Sequence, residues 1–136
     1  MENEKKYTLT CTGEQMMVIC RAVEDWHRFL AGQCEMANAT AMCERMHEVQ
    51  DILNRDVRPF IVPELAYNRG ASYDWMGSGC PNDYQRQMIA MSYGIYRQIL
   101  HFNALKNPNG YNVYQSETLT CDEQVGLIEI KEAKDE

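Results

Sequence analysis

Residues 14–54, EQMMVICRAVEDWHRFLAGQCEMANATAMCERMHEVQDILN, carry the most regular apolar spacing in the chain. Apolar side chains recur there at steps of three and four residues, which is the spacing that lines one face of a helix. This stripe consists of Met16, Ile19, Cys20, Val23, Trp26, Leu30, Cys34, Ala37, Ala41, Met42, Met46, Val49 and Leu53. A single helix over 14–54 would be about 60 Å long, which exceeds the dimensions of a compact domain of this size. We therefore expect either a break near 32–40 or a long helix buried against another subunit, and the continuous stripe favours a long, kinked helix in an oligomer.

A capping signal and a second helical pattern frame this stretch. Thr12 precedes the first helix, and Gln15 follows it at the spacing of a capping box. Two neighbouring lines of apolar residues predict a second helix over about 82–105. The sequence Asn-Pro-Asn-Gly at 107–110 then indicates a stop and a turn.

Short alternating patterns of polar and apolar residues predict strands. These patterns occupy residues 6–11, 111–115 and 125–131. Together the elements predict an α+β fold in which two principal helices, the first long or kinked, pack on a short antiparallel sheet. We expect a single domain over residues 1–136, with frayed ends at 1–5 and 132–136.

Composition excludes several classes of function. The chain has 136 residues, of which 45% are hydrophobic and 24% charged, as in an ordinary globular protein. Its net charge of -7 argues against duplex nucleic acid as a partner, because such binding needs clustered lysine and arginine. With no run of 18 apolar residues and no secretory signal, we expect no membrane association and a cytoplasmic protein. The six cysteines are then expected to be reduced thiols.

Metal and nucleophile signals are weak. Cys43 and His47 stand four residues apart and would share one helical face, yet no second pair completes a four-ligand site. A packed cysteine and a surface histidine are the favoured interpretation. Cys80 precedes the second helix, where the helix dipole lowers a thiol pKa, but nothing in the sequence brings a histidine to it. We therefore assign no catalytic residue, no metal site and no cofactor.

Arginines, aromatic residues and amides suit a nucleotide-like ligand. Arginine forks onto a phosphate or carboxylate, and tyrosine or tryptophan stacks on a planar base. The candidates come from both helices and from the glycine-rich aromatic segment between them, and they are Arg28, Gln33, Asn68, Arg69, Tyr73, Trp75, Tyr93, Arg97 and His101. The alternative is that the tyrosines are edges of the core and the arginines are surface charges, since convergent polar groups need a cavity.

Three stretches together resemble a family of small proteins from phages and prophages: YTLTCTGEQMMVICRAVEDWHRFLAGQCE, PELAYNRGASYDW, and AMSYGIYRQILHFNA followed by YNVYQSETL. The resemblance spans residues 7–130. It extends to the Thoeris anti-defence proteins, which are oligomers that sequester nucleotide signals in pockets between protomers and are called sponges. The matching positions are Arg28, Gln33, Asn68, Tyr73, Arg97 and His101. Leu100 and Phe102 stand where the family pattern has further basic residues, and this departure weakens the expected grip on phosphate.

What the resemblance and the candidate residues imply is a homo-oligomer in a host bacterial cell. It would sequester a nucleotide-derived immune signal, such as the cyclic ADP-ribose isomers of Thoeris or the cyclic oligonucleotides of CBASS, without turning it over. One alternative is a protein-interaction module that docks onto a host or phage protein through its methionine-rich helix face. The other is a nucleotide hydrolase that uses His101 or Cys80.

Overall fold

The computed structural model describes residues 5–61, 82–106 and 128–134. All regular structure in these ranges is helical. The elements are α1 (Gly13–Leu30), α2 (Ala37–Thr40), α3 (Met46–Ile52), a π-helical segment (Leu53–Val57), α4 (Arg58–Ile61) and α5 (Asp83–Lys106). The described ranges contain no strand or sheet, so the structure indicates a helical fold and the expected α+β fold is wrong.

The predicted strands account for this difference. Residues 6–11 form no ladder, and every one of them is exposed. Alternation of polar and apolar residues favours an extended backbone, but it does not supply the neighbouring strand that makes a sheet. Residues 128–131 are likewise irregular. The remaining strand predictions, at 111–115 and 125–127, lie outside the described residues.

The first turn of α1 is held by the predicted capping box. The backbone N–H of Thr12 donates to Gln15 Oε1 (2.8 Å), and the N–H of Gln15 donates to Thr12 Oγ1 (3.1 Å). Both N–H groups would otherwise lack partners at the start of a helix. The capping prediction is confirmed, and it fixes where α1 begins.

The end of α1 overturns the predicted long helix. The chain leaves the helix at Gly32, whose φ of 96° lies in the left-handed region that glycine adopts without a steric penalty. The Gln33 N–H donates to the Arg28 carbonyl (2.7 Å) and the Gly32 N–H to the Phe29 carbonyl (3.2 Å), the two bonds of a Schellman motif. Beyond this point the apolar stripe does not mark a buried face, because α2 buries only Thr40 and α3 has no fully buried residue. The helix break removes the argument from helix length for an oligomer.

A buried carboxylate holds α2 against α1. Asp25 accepts hydrogen bonds from the backbone N–H groups of Asn38 (3.0 Å) and Ala39 (2.9 Å) and from Asn38 Nδ2 (3.0 Å). The side chain of Asp25 is buried, so these bonds compensate the charge for the water it has lost. The chain therefore folds back at residues 31–36, where Met36 also takes a left-handed conformation.

Helix α5 packs along α1 and confirms the second predicted helix. Cys20 of α1 and Tyr96 and Ile99 of α5 are the buried centre of this interface. Partly buried side chains surround them: Met16, Met17, Ile19, Val23, Tyr93, Ile95, Leu100 and Ile130. Among the described helices, none combines the length and the apolar composition needed to cross a membrane.

Candidate functional site

The interface between α1 and α5 carries a group of polar and aromatic side chains, which we call the α1–α5 cluster. Its members are Glu24, His27, Arg28, Gln33, Tyr93, Tyr96 and Arg97. Two of the helices therefore position it: α1 presents its last two turns, and α5 presents its middle turns. Gln33 joins the cluster because the Schellman turn brings the chain back past Arg28.

His27 is the buried centre of the cluster. Its Nδ1 donates to the carbonyl oxygen of Ile89 on α5 (2.8 Å) and lies 3.3 Å from Ser92 Oγ. Burial lowers the pKa of His27 to about 4, and the bond to Ile89 offsets only part of that effect. His27 is therefore neutral at physiological pH, with the proton on Nδ1.

Aromatic rings surround His27. The ring centroids of Tyr93 and Tyr96 each lie 5.4 Å from that of His27. The two tyrosine rings meet edge to face, with their centroids 5.7 Å apart, which is a favourable arrangement of aromatic quadrupoles. This stack fixes the ring planes and presents Tyr93 toward Arg97.

The guanidinium of Arg97 lies over the ring of Tyr93, with Cζ 5.7 Å from the ring centroid. A cation at this distance is attracted by the electron-rich face of the ring. The two residues stand four apart on α5, so the helix itself sets their relative position. The contact holds a positive charge at the edge of the aromatic stack.

Arg28 is held in one orientation by two neighbours. Its Nε donates to Glu24 Oε2 (3.1 Å), and its Nη1 donates to Gln33 Oε1 (2.6 Å). The Arg28 side chain retains 37% of its exposure, whereas the Glu24 side chain retains 18%. The guanidinium is therefore fixed by Glu24 and Gln33, while the Arg28 side chain keeps part of its contact with water.

The pKa of the Tyr96 hydroxyl is set by its burial and by the charges of neighbouring side chains. Burial raises the pKa of Tyr96 to about 12, and the charge of Arg28 acts in the opposite direction, as does that of Arg97. The phenol of Tyr96 is therefore uncharged at neutral pH.

The structure brings together four of the predicted ligand-binding residues. Arg28 contacts Gln33, and Tyr93 contacts Arg97. His101 is half-buried and follows Arg97 by one turn on the same side of α5. Four further predicted residues, Asn68, Arg69, Tyr73 and Trp75, lie outside the described residues.

Glu24, His27 and Tyr96 are members of the cluster that sequence reasoning did not assign to the site. A signal for His27 was present, because it follows Cys20 by seven residues and Val23 by four, on the apolar face of α1. A histidine on an apolar stripe is usually buried and hydrogen-bonded, as His27 is here. Glu24 follows from its spacing to Arg28, which is that of an intrahelical ion pair.

The structure separates the residues of the weak metal signal. Cys43 lies in the turn between α2 and α3, whereas His47 lies on α3, so the expected shared helical face is wrong. Both side chains are exposed. In the part of the chain that the structure describes, no group of three or more histidine, cysteine, aspartate or glutamate side chains is placed to hold a metal ion. Cys80 lies outside that part.

The described cysteines are free thiols of two kinds. Cys11 and Cys43 are exposed, and Cys20 and Cys34 are buried. Burial raises the pKa of both Cys20 and Cys34 to about 11, so neither forms a thiolate at neutral pH.

Comparisons of the chain with protein-family models, curated proteins and solved structures found no match.

Proposed function

We propose that this protein binds a small nucleotide-derived molecule at the α1–α5 cluster and retains it without catalysis. The observation that carries the proposal is the placement of Arg97 over the ring of Tyr93, which adjoins His27, while the next residue on α1, Arg28, is ordered by Glu24 and Gln33. A nucleotide offers a planar base and anionic phosphates, and the cluster offers ring faces and guanidinium groups beside them. The ligand class we propose is an immune signal of a bacterial host, such as a cyclic ADP-ribose isomer or a cyclic oligonucleotide.

The arrangement of Arg28 supports binding through preorganisation. Glu24 and Gln33 hold the guanidinium in one plane before any ligand arrives. A side chain that is already ordered loses less conformational entropy on binding, and a fork in a fixed plane selects anions of matching geometry.

The environment of His27 supports a role in binding and not in catalysis. A nucleophile–base pair needs an accessible hydroxyl or thiol whose proton the histidine accepts. His27 approaches Ser92, but both are buried, and Ser92 Oγ donates to the carbonyl oxygen of Met88 (2.6 Å). The Nδ1 of His27 is committed to Ile89 as a donor.

We further propose that the protein acts as a homo-oligomer in the cytoplasm of a host bacterial cell. The argument from helix length no longer supports self-association, because α1 ends at Leu30. Exposed apolar side chains on the described surface support it instead, among them Tyr7, Leu9 and Val18.

Isothermal titration with cyclic ADP-ribose isomers and with cyclic di- and trinucleotides tests the proposed ligand. At least one is expected to bind, and Arg28→Gln and Arg97→Gln are each expected to weaken its binding by tenfold or more, about the loss of one charge-assisted contact. Arg45→Gln is the matched control, because Arg45 lies on the surface in an ion pair with Glu48. Retention of none of these ligands contradicts the proposal, as does equal binding by all three variants.

Recovery of the ligand separates retention from hydrolysis. After binding and gel filtration, the complex is denatured and the released ligand is analysed by mass spectrometry. An unchanged mass in full yield is the outcome expected of a sponge. Hydrolysed product that accumulates with time would contradict retention and favour a nucleotide hydrolase.

A second candidate function, docking onto a different protein, is favoured by an exposed row on α1. Val18 is 64% exposed and Trp26 is 48% exposed, and the small residue Ala22 lies between them at four-residue steps. The predicted methionine-rich face is not this surface, since Met16 and Met17 pack against the core. A pull-down in which Trp26→Ala abolishes a stoichiometric partner while Arg97→Gln has no effect would favour this candidate.

A further inference from the structure

Residues 5–12, which we call the N-terminal arm, run to the start of α1 without a helix, turn, bend or strand pairing. All eight residues are exposed, with Tyr7 at 89% and Leu9 at 75%. Tyr7 and Leu9 are thus large apolar side chains that remain in contact with water. The arm therefore presents its side chains to a partner and, at residues 5–11, its backbone groups too, whereas the backbone of Thr12 is bonded within the start of α1.

The arm has the composition of a strand. Tyr7, Leu9 and Cys11 alternate with Thr8 and Thr10, so apolar groups share one side and threonines the other. Tyrosine and threonine are among the residues that favour strands. Yet the described part of the chain offers it no pairing strand. A segment with a strand pattern and an open edge is a template for strand addition from another chain.

We propose that the arm pairs antiparallel with the arm of a second copy of this chain, about a two-fold axis at Leu9. The pattern of apolar and threonine residues reads the same in both directions from Leu9. Antiparallel pairing therefore places Leu9 opposite the partner's Leu9, and Tyr7 opposite the partner's Cys11. A two-fold interface requires this self-complementarity, and a shift by one residue would set apolar side chains against threonines.

Charge favours an antiparallel arrangement of the two arms. Pairing about Leu9 sets Lys6 opposite the partner's Thr12 and Lys5 opposite the partner's Gly13, at the first turn of its α1. That turn contains Glu14, which is exposed. Two copies of a chain with net charge -7 repel one another, and this placement sets basic residues of each arm beside an acidic residue of the other copy. A heterologous acidic strand would lack this reciprocity.

The size of the contact sets the expected affinity. A stable dimer buries about 1,600 Å² in total, and paired arms of this length supply only part of that area. A two-stranded ribbon is also marginal by itself in water. We therefore expect a dimer that is present at high protein concentration and dissociates on dilution. The proposal rests on self-association, and it does not depend on the identity of the ligand.

Cysteine crosslinking tests both the pairing and its register. In a background of Cys11→Ser and Cys43→Ser, Leu9→Cys places two thiols opposite each other, about 4.5–5.5 Å apart at Cβ, a separation that a disulfide can bridge with small adjustments. Thr8→Cys is the matched control, because position 8 faces position 10 of the partner and its own copy lies diagonally, about 7–8 Å away. Under mild oxidation Leu9→Cys is expected to give covalent dimer several-fold faster than Thr8→Cys.

The double variant Thr8→Cys/Thr10→Cys extends the test, since these positions face each other in the proposed register. It is expected to crosslink as fast as Leu9→Cys. Equal rates for Leu9→Cys and Thr8→Cys would overturn the proposal, because parallel pairing or random collision treats both positions alike. Absence of covalent dimer in all variants would overturn it too, and that result would be expected if the arm binds a different protein.

Sedimentation provides a readout without new thiols. Leu9→Asp sets two carboxylates opposite each other at the axis, and it is expected to abolish the concentration-dependent increase in mass seen with the unmodified chain. A chain that stays monomeric at millimolar concentration before the substitution overturns the proposal. Ligand titration of Leu9→Asp keeps the two proposals distinct, because a monomer that still binds the nucleotide leaves the proposed ligand standing.

Discussion

His27 Nδ1 and the carbonyl oxygen of Ile89 are joined by a 2.8 Å hydrogen bond that crosses from α1 to α5. Both residues are buried, so the bond links the two longest described helices at a point that water does not reach. The same histidine ring contacts both tyrosines of the proposed ligand site. Stability of the helix pair and geometry of the site therefore depend on one neutral imidazole.

This dependence predicts a loss of stability in mild acid. The pKa of His27 is lowered from 6.5 to about 4 by burial, so between these values the unfolded chain binds a proton that the folded chain does not. The full contribution of His27 is therefore present above pH 6.5, and it is lost progressively as the pH falls toward 4. Over this range we expect the free energy of unfolding from urea titrations to fall by about 3 kcal/mol from this group alone.

A pair of variants isolates the histidine responsible. His27→Asn removes the titrating group, and the part of the pH dependence between 6.5 and 4 that comes from His27 is expected to disappear with it. His47→Asn is the control substitution, because His47 is an exposed histidine on α3. A profile that His27→Asn does not flatten would contradict the assignment.

The link between α1 and α2 leads to a second prediction. Asp25→Ala removes a buried acceptor that serves the backbone N–H groups of Asn38 and Ala39 and the side-chain amide of Asn38. We expect the free energy of unfolding to fall by about 3 kcal/mol, as for the loss of a hydrogen-bonded charge. Asp51→Ala on exposed α3 should change it by less than about 0.5 kcal/mol. Chemical denaturation of both variants measures the difference, and equal effects would count against this role for Asp25.

Two glycines give a third prediction with opposite signs. Gly32→Ala forces a side chain into a backbone with φ of 96° and should lower the free energy of unfolding by about 1 kcal/mol. Gly13→Ala lies in the first turn of α1, where an added Cβ would meet nothing within 4 Å, and should raise it by about 0.4–1 kcal/mol. Thermal melts followed by circular dichroism distinguish the two. Stabilisation by both would show that the Schellman turn does not require glycine.

Local signals in the sequence predicted the ends of helices better than their course. Thr12 and Gln15 predicted the start of α1 because a capping box needs only neighbouring residues. The predicted length of the first helix was wrong because the spacing of apolar residues indicates only which side of a helix is apolar. It does not indicate where the chain changes direction between helices. Gly32 offered a signal for the break, but the left-handed Met36 did not, since methionine carries no sequence preference for that conformation.

The candidate site was predicted in its charged and amide members and missed at its centre. Tyr93 and Arg97 stand four apart on one helix, so spacing alone brings them together. Arg28 and Gln33 meet because the Schellman turn reverses the chain, which their sequence separation does not reveal. His27 was not among the predicted site residues, whereas packing against α5 makes it a neutral hydrogen-bond donor at the centre of the cluster.

Thiol reactivity provides the last prediction, and it tests the packing of α1 on α5 directly. Cys20 lies at the buried centre of that interface, and Cys34 is buried after the Schellman turn, with the pKa of each raised to about 11 by burial. An alkylating reagent should therefore modify exposed Cys11 and Cys43 first, because it reacts with the thiolate of an accessible cysteine. Peptide mass spectrometry after timed labelling identifies each site. Cys20 and Cys34 are expected to react only at the rate of unfolding, and to become reactive together with loss of helical signal in urea. Labelling of Cys20 as fast as Cys11 in the native protein would show that the interface is open, and the proposed site between these helices would then lose its structural basis.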